Sequence, residues 1–406
     1  MLRTAKRALL PFFLCAALSV PSLVNAAEFH LYPSIAEQLG YTDNILFTPT
    51  HALHDFISTT SGGLQLLTKT EQMSLDVSGR VDQRFYLQNP GFDATDEFYK
   101  GTLNFTPSDK LSFSLRGAFN RDSLPEREFF TTGLVLNALR RENSNEGITS
   151  TYAFSEKTSS SLNYDHGEWW YRDLSSRDMT YDAFSLPTVH DLSTYVQNLN
   201  GRLTLAYTRY SFTGLAVDNY EATTGFEYRF HEKWSFLLDG GARYTHSAFQ
   251  TSQLVTIGAL TVPAGPIENV TATGTAPIGT MKLNYTGEVS GGALTANRDI
   301  LPAYGAIGTF ERTSITASGY WNLSYKLRGD ISTGVFHNQT EKTQFAVTPF
   351  NAESFYINPT LRYEFTKNMY LEASYTFARS ENKEANTTEN KNIVFLRFYI
   401  QHPMME

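Results

Sequence analysis

The chain has 406 residues, a formal net charge of −8, 14% aromatic and 18% charged residues, and a single cysteine. Twenty-nine Phe and 23 Tyr exclude a disordered chain, and one Cys excludes a disulfide scaffold. The acidic balance argues against nucleic acid as a partner, and a mean hydropathy of −0.30 does not fit a bundle of apolar helices each about 20 residues long.

Arg3, Lys6 and Arg7 form a basic start, and Ala8 to Val20 is apolar except for Ser19. Val24-Asn25-Ala26 places small or apolar residues at the −3 and −1 positions of a cleavage site. The pattern predicts a secretory signal peptide over 1–26 and a single domain over 27–406. Cys15 lies inside the apolar run, without a lipobox around it, so the mature chain carries no cysteine.

Beyond residue 27 the dominant period is two, the strand signature. From Met73 to Tyr86 one face carries Met73, Leu75, Val77, Gly79 and Val81, and the other Ser74, Asp76, Ser78, Arg80, Asp82 and Arg84. Leu111 to Asn120, Trp234 to Thr245 and Met369 to Arg379 alternate in the same way. These runs exceed the roughly 5 to 6 residues usual in globular sheets and match the roughly 9 to 11 of a tilted membrane-spanning strand. Charge along one face and apolar or aromatic residues along the other suit a polar lumen and a lipid-facing wall with aromatic girdles.

Connection lengths also alternate. Short ones are read at 69–71, 107–109, 155–157, 200–201, 231–233, 287–288, 324–325 and 366–368. Longer ones are read near 40–55, 88–95, 122–137, 174–190, 214–218, 250–272, 299–309, 339–352 and 381–390. Together they predict an all-β, transmembrane, antiparallel up-and-down barrel of 18 strands in the outer membrane, or 16 if the stretch around Pro187 is misread. Closure is expected because an open sheet edge is forbidden in lipid. Were a long loop to fold inward as a plug, the Gly- and Pro-bearing apolar segment 250–272 is the best candidate.

Pro33-Ser34-Ile35 followed by Tyr41-Thr42-Asp43-Asn44-Ile45, and Arg298-Asp299-Ile300-Leu301-Pro302-Ala303-Tyr304-Gly305 ahead of Glu311-Arg312-Thr313, carry a family resemblance. The chain resembles the "porin 2" type of outer-membrane β-barrel associated with exopolysaccharide biosynthesis and export gene clusters, and similar 18-stranded polysaccharide-conducting barrels. The resemblance implies a non-enzymatic pore taking part in exopolysaccharide export, with polysaccharide and a periplasmic export protein as partners beside outer-membrane lipid. A general or substrate-selective diffusion porin is the alternative.

Alternation assigns Arg80, Arg84, Arg116, Arg229, Arg243, Arg312, Arg328 and Arg397 to the lumen, with Asp76, Asp82, Glu227, Asp239, Asp330 and Glu372. Such a wall either sets a transverse field that filters solutes by charge, or merely solvates the interior. Tyr86, Tyr320, Tyr356, Tyr370, Phe395 and Tyr399 fall on the same face and could stack on sugar rings or serve as bulk.

A third class is a rim-site hydrolase or acyltransferase, with His246-Ser247 or His51, His54 and Asp55 as its only candidates. Adjacent strand residues point to opposite faces, so His246 cannot serve Ser247 as a base. Asp43, Asn44 and Asp55 could order the first outer loop around calcium, although calcium wants about 6 to 8 oxygens. Glu168-Trp169-Trp170-Tyr171-Arg172 reads as girdle rather than sugar subsite. No nucleotide motif occurs, and neither a cofactor nor a resident metal is expected.

Overall fold

In a computed structural model that describes residues 28–404 apart from 124, 135–139, 173–176, 258–259, 303–306 and 342–349, the alternating segments form 18 strands. Side chains are described for the same residues except 125–126 and 251–268. The predicted signal segment 1–26 lies outside the described residues.

The strands are β1 (Glu28–Thr42), β2 (Asp55–Lys69), β3 (Met73–Tyr86), β4 (Ala94–Ser108), β5 (Leu111–Asp122) and β6 (Arg141–Ser155). Next come β7 (Thr158–Tyr171), β8 (Met179–Asp191), β9 (Leu199–Phe212), β10 (Leu215–His231), β11 (Trp234–Ile257) and β12 (Leu260–Thr286). The last six are β13 (Ser290–Pro302), β14 (Thr309–Asn322), β15 (Leu327–Thr340), β16 (Asn351–Thr366), β17 (Met369–Asn382) and β18 (Thr387–Gln401). Among the described residues one α-helix, α1 (Pro125–Thr132), lies between β5 and β6, and a 3-10 turn spans Pro90–Phe92.

Every strand pairs antiparallel with its sequence neighbours, and β18 pairs with β1 from Ser34↔Gln401 to Thr42↔Ile393. The ring therefore closes and leaves no free edge, the condition a β-protein must meet in hydrocarbon. The turn end that carries both Glu28 and Gln401 is the periplasmic one, as an even strand count requires. Outward positions carry Ile35, Leu39, Leu64, Val81, Leu162, Leu203, Ile315, Ile331 and Val394, all solvent-exposed. In water so continuous an apolar surface would drive association; around a closed barrel it is the lipid-facing wall.

Four connections differ from the sequence reading. The segment 174–190 is mostly strand β8, whose ladder with β7 skips Leu186 and Pro187. Pro187 offers no N–H, and its carbonyl accepts instead from Ser160 Oγ at 3.2 Å. The turn that follows is 192–198, and Asn200-Gly201 lies within β9. At 214–218 the connection is only Thr213-Gly214, with Gly214 at φ 78°, and the residues after it already belong to β10. Finally, 250–272 is strand rather than loop: β11 and β12 stay paired as a long hairpin up to Ile257↔Leu260.

The wall has one seam. β12 and β13 pair only from Gly279↔Arg298 to Thr286↔Gly291, near the periplasmic end. Above it β12 stays with β11 and β13 with β14. The upper part of β13 packs over the inner face of the neighbouring strands, where Ile300 joins an apolar cluster with Trp169, Tyr210, Phe212, Val217 and Phe249. Arg243 on β11, 2% exposed, reaches Glu311 on β14 at 3.0 Å and Glu341 at 3.7 Å. That contact holds the displaced strands against β11 with a charge-assisted bond.

Candidate functional site

Helix α1 is what narrows the lumen. It leaves the wall at β5 and reaches β14, β15 and β16 on the opposite side of an 18-membered ring. At the near end Arg127 pairs with Asp122 at 2.5 Å, and Arg141 on β6 bridges Glu128 at 2.5 Å and Asp122 at 3.4 Å. At the far end the carbonyl of Thr131 accepts from Arg312 Nη1 at 2.6 Å, and that of Thr132 from Asn338 Nδ2 at 3.0 Å. These are the C-terminal carbonyls of the helix, which have no partner within it and here take side-chain donors from the wall.

Apolar packing seats the same helix. Phe129 is buried against Phe47 with ring centroids 4.9 Å apart, and Phe130 meets Tyr356 at 4.8 Å. The helix ends at Gly133, whose φ of 73° is the left-handed conformation that suits glycine, and whose N–H donates to the carbonyl of Phe129 at 2.7 Å. A Cβ there would stand 2.4 Å from Phe336. Burial pushes the Glu128 carboxyl up to about 7, against the pull of Arg141, with Asp122 adding to the rise. Its Oε1 has no hydrogen-bond partner among the described residues, which agrees with a carboxyl that holds a proton near neutrality.

Below the helix, toward the periplasm, lies a cavity of about 440 Å³ against the inner faces of β1 to β5 and β18. Its lining holds four cations, Arg80, Lys100, Arg127 and Arg397, and no carboxylate among the described residues. Arg80 and Arg127 lie against one ring, Phe98, at 4.6 and 4.7 Å from its centroid, so a wall cation and a helix cation meet there. Arg80 is held by Asp82 at 3.0 Å. Gln65 and Asn120 add amides to the lining.

Most of the remaining residues expected in the lumen have a described polar partner. Arg84 is buried against Asp96 near the outer rim, beside Tyr86. Arg116 pairs with Asp165 at 2.5 Å, Arg312 with Asp299 at 2.8 Å and Arg328 with Asp330 at 2.6 Å. Asp239 takes Arg202 at 3.1 Å, and Asp76 accepts from Gln65 at 3.0 Å. Glu372 pairs with Arg362 at 2.6 Å and lies opposite Arg397 in the β17–β18 register. Glu227 and Arg229 sit near the periplasmic end of β10, away from the cavity.

The aromatics divide between the two ends. Tyr356 packs with the helix, and Phe395 lies over Gly40. Nearer the periplasm Tyr370 stacks on Tyr399 at 4.7 Å, Arg362 lies over Tyr370 and Arg328 over Tyr320. Sequence reasoning missed Lys100, Arg127, Arg202 and Arg362. Lys100 lies on a strand whose faces were not assigned, Arg362 shares the face of Tyr356 but was not carried along it, Arg202 directly follows a presumed turn, and Arg127 lies in a presumed outer loop. The alternation of β16, with exposed Phe355, Leu361 and Tyr363 opposite Arg362, could have found Arg362.

The rim candidates do not converge. Ser247 is fully buried on one face of β11, and His246 is on the other, 3.9 Å from Asp218. His51 and His54 are exposed in the first outer loop. Asp55 instead accepts the N–H groups of Gln88 and Asn89, at 3.0 and 2.8 Å, and Asp43 accepts from the backbone N–H of Asn392 at 2.7 Å. Asn44 Nδ2 donates to the carbonyls of Thr48 and Asn390. These three side chains staple loops rather than meeting around a cation. Glu168, Trp169 and Tyr171 are buried at the outer end of β7, with both rings in the apolar cluster.

No protein-family model and no curated protein matches the chain. Among solved structures it is similar to Pseudomonas aeruginosa OccK2 (OpdF), with 10% identity, 93% of this chain and 99% of that chain covered, and a TM-score of 0.46. Acinetobacter baumannii OccAB3 gives 10% identity, 93% and 100% coverage and a TM-score of 0.45. The ferric citrate transporter FecA gives 8% identity, 88% and 60% coverage and 0.47. The chain spans 64% of the length of the copper transporter OprC. At such identities no residue role passes from one protein to another. What the chain itself presents is a closed 18-stranded antiparallel barrel with an apolar outer wall, the architecture of a bacterial outer-membrane protein.

Proposed function

We propose that the protein is a substrate-selective diffusion channel with a preference for small anions. The observation that supports this most is the cavity directly beneath a helix that crosses the lumen, whose described lining holds four cations and no carboxylate. A crossing helix limits the size of what passes, and cations at the narrowing raise the local concentration of negative solutes. The net acidity of the chain does not oppose this, because the field that matters to a solute is that of the wall beside it. The chemistry is permeation: no group is transferred, and the residues act by charge and by steric limit.

The test is single-channel recording of the purified barrel in planar bilayers. Discrete open steps are expected, with a reversal potential shifted toward the anion in a KCl gradient. Cation preference, or no opening without added protein partners, would overturn the proposal.

The second reading is export of an exopolysaccharide beside a periplasmic export protein, as the sequence resemblance implies. The band of Tyr320, Arg328, Arg362, Tyr370, Arg397 and Tyr399 near the periplasmic end favours it, since rings and guanidiniums together suit a glycan entering from that side. A polymer would first have to displace α1. Deletion of the gene distinguishes the readings: export predicts lost surface polysaccharide with precursor retained in the cell, and unchanged polysaccharide removes it.

A further inference from the structure

One carboxylate stands on the lipid side of the wall, inside the apolar band. Glu37 on β1 lies between Ile35 and Leu39, both outward and exposed. Opposite it in the ladders are Phe398 on β18 and Thr60 on β2, and Gln83 on β3 stands opposite Thr60. Its described partners are the hydroxyls of Ser58 and Thr60, which donate at 2.7 Å each, and no described cation pairs with it. Elsewhere the wall keeps outward charges at another level. On β9 to β11 Tyr207, Tyr220 and Tyr244 form the outer girdle, and Arg209, Asp218 and His246 come two residues further out, at headgroup height. On β1 and β2 the girdle is Tyr41 and Phe56, with rings 5.1 Å apart, and Glu37 lies four residues inside it. An ionised group at that depth is costly against hydrocarbon and is retained where protein meets it.

We infer that the outward face of β1 to β3 is the contact between two copies of this chain, related by a two-fold axis along the membrane normal past β2. Such an axis sets β1 of one copy against β3 of the other, so that Glu37 meets Gln83 twice, a self-complementary arrangement. Gln83 is suited to it: its Oε1 accepts from Thr95 at 2.6 Å, and its amide N–H groups have no described acceptor. Strand tilt offsets the two residues by about 6 Å in height, within reach of two extended side chains. In lipid two apolar surfaces gain little by merely touching, so polar bonds and close approach of backbones must drive pairing. Close approach is available on β2, where Ser58, Thr60 and Gly62 face outward and the space over Gly62 is open. Around this centre Ile35, Leu39, Phe56, Leu64, Val81 and Phe85 supply exposed apolar packing. Three strands at about 6 Å of circumference each, with a band about 25 Å tall, offer about 500 Å² per copy. Two copies reach about 1,000 Å², the size a specific contact needs.

The experiment is disulfide trapping in intact outer membranes. Gly62→Cys puts a thiol near the axis, and Leu238→Cys puts one on β11, on the far side of the ring, as control. Both carry Cys15→Ala, so that each chain has one thiol. Mild oxidation should give a product of twice the chain mass from Gly62→Cys and none from Leu238→Cys. Adding Glu37→Leu should lower that product at least about tenfold, the loss expected for a hydrogen bond to a charged group. The barrel should still assemble, because the change removes a charge from the lipid face; heat-dependent mobility on gels verifies this. Gln83→Leu should act alike, and the double variant should add little, since both remove the same bond. Equal trapping at both positions, or trapping indifferent to Glu37→Leu, overturns the contact. A Gly62→Cys product of any other mass overturns it by assigning the face to a different protein, and no product overturns it by leaving the face to lipid.

Discussion

The two sides of the lumen are built differently. Along β7 to β11 the upper inner face is closed by side chains: Trp169, Tyr171, Met179, Tyr210, Phe212, Leu215, Val217 and Phe249 bury one another, and Ile300 fills the seam. Along β1 to β5 and β18 the inner face stays open and carries the four cations of the cavity. A barrel of 18 strands is wider than its own side chains can fill, so it needs an inward element. Here the upper β13–β14 pair covers one side, and α1 crosses toward the other. On the proposed channel reading, the first side serves stability and the second selectivity.

The largest effect should come from removing the crossing element. Replacing 125–132 with a Gly-Ser linker should raise single-channel conductance several-fold and weaken ion preference, because the helix carries both the steric limit and Arg127. A conductance equal to wild type would place the narrowing elsewhere.

Next is the packed side. Phe249→Ala removes a buried ring from the apolar cluster and should cost about 3–5 kcal/mol in urea unfolding, with selectivity preserved. If it instead alters selectivity while leaving stability intact, the division of roles between the two sides fails.

A smaller effect is expected at the seat of the helix. Gly133→Ala puts a Cβ into Phe336 at a left-handed backbone position and should unseat α1 by about 1–3 kcal/mol. Noisier current and protease cleavage near 133, without loss of the barrel, would register it.

The pH dependence follows from Glu128. Its carboxyl rises from the ordinary 4.5 to about 7 when the helix is lodged, so lodging favours proton uptake. The associated penalty is absent below about 4.5, grows between the two values and is complete above about 7. Current should therefore flicker more at pH 8 than at pH 5.5, and Glu128→Gln should flatten the difference. Flicker that grows on acidification would reverse the sign and reject the assignment. The smallest effect is Lys383→Ala, which breaks a surface pair with Glu353 and should change stability by less than about 1 kcal/mol in the same urea titration.

Period-two alternation is a local property, fixed by the chain's own geometry, and a lipid-facing wall enforces it strand by strand. So strand number, the apolar face of each strand and the antiparallel order were legible from residues such as those of 73–86 and 234–245. Turn positions were less so: Asn200-Gly201 has turn composition but lies inside β9, and Pro187 has breaker composition but is tolerated where the ladder skips it. In both cases pairing with neighbouring strands outweighs local preference.

The sequence by itself determined an amphipathic chain whose strands must close around a polar lumen. It could not say which connection enters that lumen. The apolar segment 250–272 looked fit to be buried, yet it extends a hairpin, while Pro125–Thr132, with its charged residues, crosses the pore. That choice depends on partners 180 to 230 residues away, Arg312, Phe336, Asn338 and Tyr356, which only closure brings across from β5. The same closure adds Arg397, from the last strand, to the cavity wall that Arg80 and Lys100 also line, so the cavity is complete only once the last strand meets the first.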